Sequence, residues 1–145
     1  MSAARALWGK IQEPKVITCL VWVIYLVTLV VGLTALTDPP SSIEGEIGLG
    51  LTRMWAGFLV LGGTIGVVAT LPGIWWLERA AVLSVVTGLA IYCAVALNLH
   101  FAEASGNRLP QAGVIAIAAL GLGTRWFRIR RYAYDPEPPV HRHDV

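Results

Sequence analysis

The chain has 145 residues, 56% of them hydrophobic and only 14% charged, with a formal net charge of +2. A soluble globule carries about 25% charged residues, so too little polar surface remains here to cover a water-facing body, and there is no room for a second soluble domain. The basic residues sit at the ends of apolar runs rather than gathered on one face, which excludes a nucleic-acid partner.

Residues 1–15 form a basic lead carrying Arg5, Lys10 and Lys15. Leu7, Trp8 and Ile11 fall at helical spacing within it. That pattern suits a brief amphipathic turn on a membrane surface, and equally a plain basic flank anchored by Trp8. Residues 16–36 follow as an uncharged run whose hydrogen-bonding side chains are Thr18, Cys19, Trp22, Tyr25, Thr28 and Thr34. About 20 residues at about 1.5 Å each cross a hydrocarbon core about 30 Å thick. The run exceeds the about 7–15 residues of a signal-peptide apolar region, so it is expected to be a retained first span.

Residues 37–53 connect it to the next run. Thr37-Asp38-Pro39-Pro40 cannot continue a helix, because proline lacks the amide donor and biases its predecessor to extended forms. Ser41 and Glu44 have the spacing of a capping box. Ile43, Ile47 and Leu51 then predict a short helix at the outer interface, weakened by Gly45, Gly48 and Gly50. Arg53 and Trp55 are expected to mark the next membrane boundary.

The second span is expected over 54–71 and ends at Pro72-Gly73. Trp75, Trp76, Glu78 and Arg79 read as an interfacial turn, where an indole is apolar in body and polar at its N–H. The third span is expected over 80–99, with Asn98 and His100 at its far end. Pro110 suits the first turn of a fourth span, expected over 109–127 and rich in small residues as far as Thr124. Residues 128–145 are expected to be a basic stop segment followed by a disordered cytoplasmic tail. The expected fold is thus all-α: a polytopic membrane protein with four transmembrane helices in a compact bundle.

The positive-inside rule orients it. With both termini in the cytoplasm, nine of the 11 basic residues lie inside and only Arg53 and Arg108 lie outside. Asp38, Glu44, Glu46 and Glu103 then fall in the outer loops.

The chemistry that could be placed in this frame is sparse. No run carries an acidic or basic residue near its middle, where ionisable groups usually mark ion or substrate pathways. Four-helix drug/proton antiporters of the small multidrug resistance type depend on a carboxylate inside the first span, and residues 16–36 have none. Glu13, Glu78 and Glu103 are separated by span boundaries. Asn98, His100 and Glu103 gather at the outer mouth of the third span, where a metal or proton site is conceivable and a hydrated interfacial histidine is the plainer reading. His141 and His143 flank Arg142, a poor metal site where three or four convergent ligands are needed. Cys19 and Cys93 differ in depth by about 15 Å at about 1.5 Å per residue, too far for a disulfide, and are expected to be free. No catalytic residue, cofactor or metal ligand is assigned.

The glycines are the mechanistic lead. Helices in lipid associate by close packing that small residues permit. Gly62 and Gly66 form a GxxxG spacing; Ala80, Ser84 and Gly88 share a helical stripe; Ala112 with Ala116, and Ala119 with Gly123, repeat it in the fourth span. These positions suit packing inside one bundle or against a second copy. Trp75, Trp76, Arg125, Arg128, Arg130 and Arg131 are expected to anchor the chain at the inner interface, where each basic residue near anionic lipid contributes about 1 kcal/mol.

The basic lead (Arg5, Lys10, Lys15), the four compact spans, the basic end at Arg125 to Arg131 and the charged proline-rich tail together resemble the small membrane proteins of bacteriophages that infect GC-rich actinobacteria, some of which are holin-like. The resemblance covers the whole chain in organisation. It implies accumulation in the host cytoplasmic membrane, lateral association into a homo-oligomer through Gly62, Gly66, Ser84 and Gly88, and a lesion that serves host cell lysis. Its partners would be the lipid bilayer and further copies of itself. A non-lytic accessory, scaffold or immunity protein would use the same helix faces. A minimal transporter or channel would need an oligomeric pore lined by Thr64, Thr70, Ser84 and Thr87.

Overall fold

The computed structural model describes residues 15–38, 41–102 and 107–131. The amphipathic turn expected around Leu7, Trp8 and Ile11, the side chains of the Ser41–Glu44 capping box, Glu103, His141, His143 and the tail lie outside the described residues and side chains. Among the described residues the chain forms four α-helices: α1 (Lys15–Thr37), α2 (Ser41–Thr70), α3 (Trp75–Ala102) and α4 (Leu109–Ile129). Each is long and apolar enough to cross a membrane. At about 1.5 Å per residue, the shortest measures about 30 Å, the thickness of a hydrocarbon core.

The helices end where the sequence removes helical options. In α1 the Asp38 N–H donates to Thr34 O at 2.8 Å, and the two prolines that follow cannot extend the ladder. α2 and α3 are joined by a tight turn: Gly73 adopts φ +71°, and the Ile74 N–H reaches back to Ala69 O at 3.0 Å, a left-handed glycine cap of the kind that closes many helices. α4 begins with Pro110 in its first turn, where a missing N–H costs nothing, and the Asn107 carboxamide oxygen accepts from the Leu109 N–H at 3.2 Å.

Two span boundaries differ from the expected ones. The second candidate span starts at Gly48, where 54 was the expected start. Helical structure runs from Ser41 and breaks only at Gly48, whose φ of 78° and ψ of 157° lie in a region essentially closed to other residues. One glycine therefore separates a short helical segment from the long one, and Gly50 continues within the helix. The third helix begins at Trp75, so Trp75, Trp76, Glu78 and Arg79 form its first turn instead of a separate interfacial turn. Asp or Glu in a first turn complements the partial positive charge there, which favours Glu78 in helical conformation.

Extensive packing links consecutive helices only: α1 with α2, α2 with α3, and α3 with α4. The core gathers Tyr25, Trp55, Leu59, Val82, Val85, Leu99 and Leu122. Trp55 was expected at a membrane boundary; it is instead 2% exposed and stacked on Tyr92 with ring centroids 4.9 Å apart. The Tyr92 hydroxyl in turn accepts from the Gln111 amide at 2.7 Å, tying α3 to α4. Outward, the surface is greasy: Leu20, Val27, Leu61, Leu83, Ile117 and Leu120 are all exposed. A monomer in water rarely leaves so much contiguous apolar surface uncovered.

Candidate functional site

The most polar point of the interior lies where the first turn of α3 meets the last turns of α4. Glu78 and Arg125 are 0% and 5% exposed and form a two-pronged pair. Arg125 Nε donates to Glu78 Oε1 at 2.8 Å, and Nη2 donates to Oε2 at 3.1 Å. Such parallel hydrogen bonds fix direction as well as distance. Taking two charges out of water is costly, and each charge offsets part of that cost for the other. Tyr25 of α1 is fully buried in the core. Its hydroxyl is buried with no hydrogen-bond partner among the described residues. A carboxylate and a guanidinium from two helices thus meet at one end of the bundle.

Arg125 had been expected as a membrane anchor and Glu78 as an interfacial residue; both point inward. Trp75, also expected as an anchor, is 4% exposed, whereas Trp76 is half exposed. The signal that could have found the pair is periodicity. Glu78 shares a helical stripe with Ala81, Val82 and Val85, and Arg125 shares one with Leu122 and Ile129, all of them buried. α3 and α4 pack as neighbours, and the start of α3 lies level with the end of α4, where Glu78 meets Arg125.

Arg128, Arg130 and Arg131 remain outside. The Arg130 guanidinium lies 5.1 Å from the Phe127 ring centroid, and its carbonyl accepts from Arg79 Nη1 at 2.8 Å.

The small residues lie mostly between helices. A Cβ on Gly62 would sit 2.6 Å from Val85 Cγ2 and 2.9 Å from Ala81 O, both on α3. A Cβ on Gly66 would overlap the Tyr25 ring on α1. The GxxxG pair is therefore split between two neighbours, as expected of the second helix in a row of four. Gly63 and Gly32 complete the α1–α2 seam: their added Cβ atoms would fall 2.7 Å from Leu29 N and 2.8 Å from Val60 N. Gly88 admits Leu59 across the α2–α3 seam, and beside it the Ser84 hydroxyl donates to Phe58 O at 2.8 Å. Ala80, assigned to the same stripe, is exposed; Ala81 takes the inward place. Ala112 is buried, Ala116, Ala119 and Gly123 are half-buried, and nothing lies within 4 Å of a Cβ on Gly123.

Three of the four hydroxyls considered for a pore, those of Thr64, Thr70 and Ser84, are engaged with backbone. Thr64 donates to Val60 O at 2.8 Å and Thr70 to Gly66 O at 2.8 Å. Both are i to i−4 bonds within α2, a common way for a helix to satisfy a hydroxyl. Cys19 and Cys93 are free, and no group of three metal-ligating side chains occurs among the described residues. His100 of the presumed outer mouth packs edge-on to Phe101 with centroids 5.2 Å apart.

No protein-family model matches the chain, and no curated protein or solved structure matches it.

Proposed function

We propose that the chain is an integral protein of a bacterial cytoplasmic membrane, with both ends inside, and that it acts in the manner of a holin: it accumulates, associates laterally and permeabilises the host membrane for lysis. It carries out no catalysis in this reading. The supporting observation is the division of its surfaces. The close glycine contacts and the Glu78–Arg125 pair complete a single bundle, while the outer face of α4 is bare and apolar, with Val114, Ile117 and Leu120 about seven-tenths exposed. Beside them a Cβ on Gly113 would meet nothing within 4 Å. Small and apolar residues together suit close helix contact in lipid. Association is thereby assigned to the outer face of α4, because Gly62, Gly66, Ser84 and Gly88 are occupied within the bundle.

The test is expression of the chain alone in a bacterium, with membrane potential and viability followed in time. Abrupt depolarisation after a delay is expected, and Gly113→Leu, which the bundle can accommodate, should postpone or abolish it at equal membrane level. Normal growth at high membrane level would overturn the lytic reading. It would favour a non-lytic scaffold or immunity protein working through helix contacts, a role that the self-complete interior would also suit.

A further inference from the structure

α1 ends, and the long part of α2 begins, with one unpaired charge each. Asp38 and Arg53 are both exposed, and neither has an ion-pair partner among the described residues. The α1–α2 seam fixes their heights. A Cβ on Gly32 would touch Val60 N, one on Gly63 would touch Leu29 N, and one on Gly66 would overlap the Tyr25 ring. The two helices therefore run past each other residue for residue in opposite directions. Carried six residues outward from Gly32 and Val60, that register brings Asp38 level with Met54, beside Arg53.

The two charges head different faces. The Asp38 N–H continues the helical ladder to Thr34 O, which sets Asp38 on the stripe of Val27 and Val31. Both valines are exposed, and Tyr25 and Gly32, which meet α2, belong to another stripe. On α2, Arg53 heads the stripe of Gly57, Leu61, Thr64 and Val68. Leu61, Thr64 and Val68 are exposed, and a Cβ on Gly57 would meet nothing within 4 Å. Each face is thus largely apolar with one charge at the same end, and the charges are opposite. Copies inserted by the same rule share one direction in the membrane. The Asp38 of one copy therefore lies at the depth of the Arg53 of any other.

We propose that the α2 face headed by Arg53 docks on the α1 face headed by Asp38 of a second copy of this chain, with the two charges paired at the outer boundary of the membrane. A contact between unlike faces leaves each row of copies with one free face of either kind, so it extends into rows or rings. It adds to the α4 contact the second interface that growth beyond a pair of copies requires. Docking of this kind rests on the membrane-spanning reading and a shared orientation, but not on lysis.

Energy transfer between donor- and acceptor-labelled full-length chains in phosphatidylcholine vesicles, followed against the protein-to-lipid ratio, tests it. All chains carry Gly113→Leu, which blocks the α4 contact. Transfer is expected to persist in this background. Arg53→Asp or Asp38→Arg turns an attraction into a repulsion and should weaken association about tenfold, the range that one exposed pair and its reversal span. Mixing the two variants should restore transfer, since each supplies the charge that the other lacks; a folding defect would not be mended by mixing. With Cys19 and Cys93 replaced by alanine, a short bismaleimide should join Asp38→Cys chains to Arg53→Cys chains, and neither kind to itself. No transfer in the Gly113→Leu background would overturn the proposal. So would transfer unchanged in both reversal variants, mixing that restores nothing, or Asp38→Cys chains that join one another. A chain that stays dispersed without detergent would instead refute the membrane reading itself.

Discussion

Replacing Arg125 with glutamine is expected to destabilise the bundle by about 3–5 kcal/mol, the cost of leaving a buried carboxylate without its partner. Glu78 is fully buried and both of its oxygens accept from Arg125. Glu78→Gln should also destabilise, by removing the carboxylate that accepts both hydrogen bonds from Arg125. The double replacement Glu78→Met with Arg125→Leu behaves differently. It removes both charges and keeps apolar volume, and such exchanges are often neutral or stabilising. The measurement is thermal or denaturant unfolding of the detergent-solubilised chain followed by circular dichroism. The prediction is strong non-additivity, with the double variant more stable than either single one. If both single variants unfold with the wild type, the pair does not hold α3 to α4. A pair that the bundle could replace with apolar residues has a further consequence: its value would lie in fixing which ends of α3 and α4 meet, a register role attested for buried polar groups in coiled coils.

Gly63→Leu is expected to separate α1 from α2. The added Cβ would fall 2.7 Å from Leu29 N and 2.8 Å from Leu29 Cα. Those are backbone atoms and cannot turn aside as a side chain can. Overpacking of this kind costs about 1–3 kcal/mol where neighbours can shift, and here the shift must be of a whole helix. The Trp22 indole, which donates to Val67 O at 3.1 Å across the same seam, reports the change: its fluorescence should move toward that of a lipid- or water-exposed indole. Gly57→Ala is the contrast. Nothing lies within 4 Å of a Cβ there, and alanine is about 1 kcal/mol better than glycine in a helix, so stability should rise slightly. Equal effects of the two substitutions would show that the α1–α2 seam is not closed by glycine contact.

Much of the architecture was legible because hydrophobic runs of span length and proline-glycine breaks act locally. The stops at Thr37-Asp38-Pro39-Pro40 and Pro72-Gly73, and the start at Pro110, depend on backbone chemistry within a few residues. The errors arose where a residue's meaning depends on a distant partner. Glu78 and Arg125 lie near helix ends, and charge at a helix end reads as interfacial until the neighbour's opposite charge is known to face it. Trp55 and Trp75 misled for the same reason, since tryptophan serves equally at a headgroup and in a core. The GxxxG pair Gly62 and Gly66 marks close packing but not its partner; the structure divides it between α3 and α1. The cleft lined by Val23, Val27, Leu59, Val85 and Ala118 left no local signal, because its walls come from all four helices.

Four membrane crossings with both ends inside are the premise of the proposed function, and site-directed cysteine labelling checks them. In a chain with Cys19 and Cys93 replaced by alanine, single cysteines are placed by Asp38→Cys, Pro72→Cys, Asn107→Cys and Arg131→Cys, and intact cells are treated with a membrane-impermeant maleimide. The prediction is labelling at 38 and 107, and none at 72 and 131 until the membrane is opened. Labelling at all four positions, or at 72 and 131 alone, would contradict it.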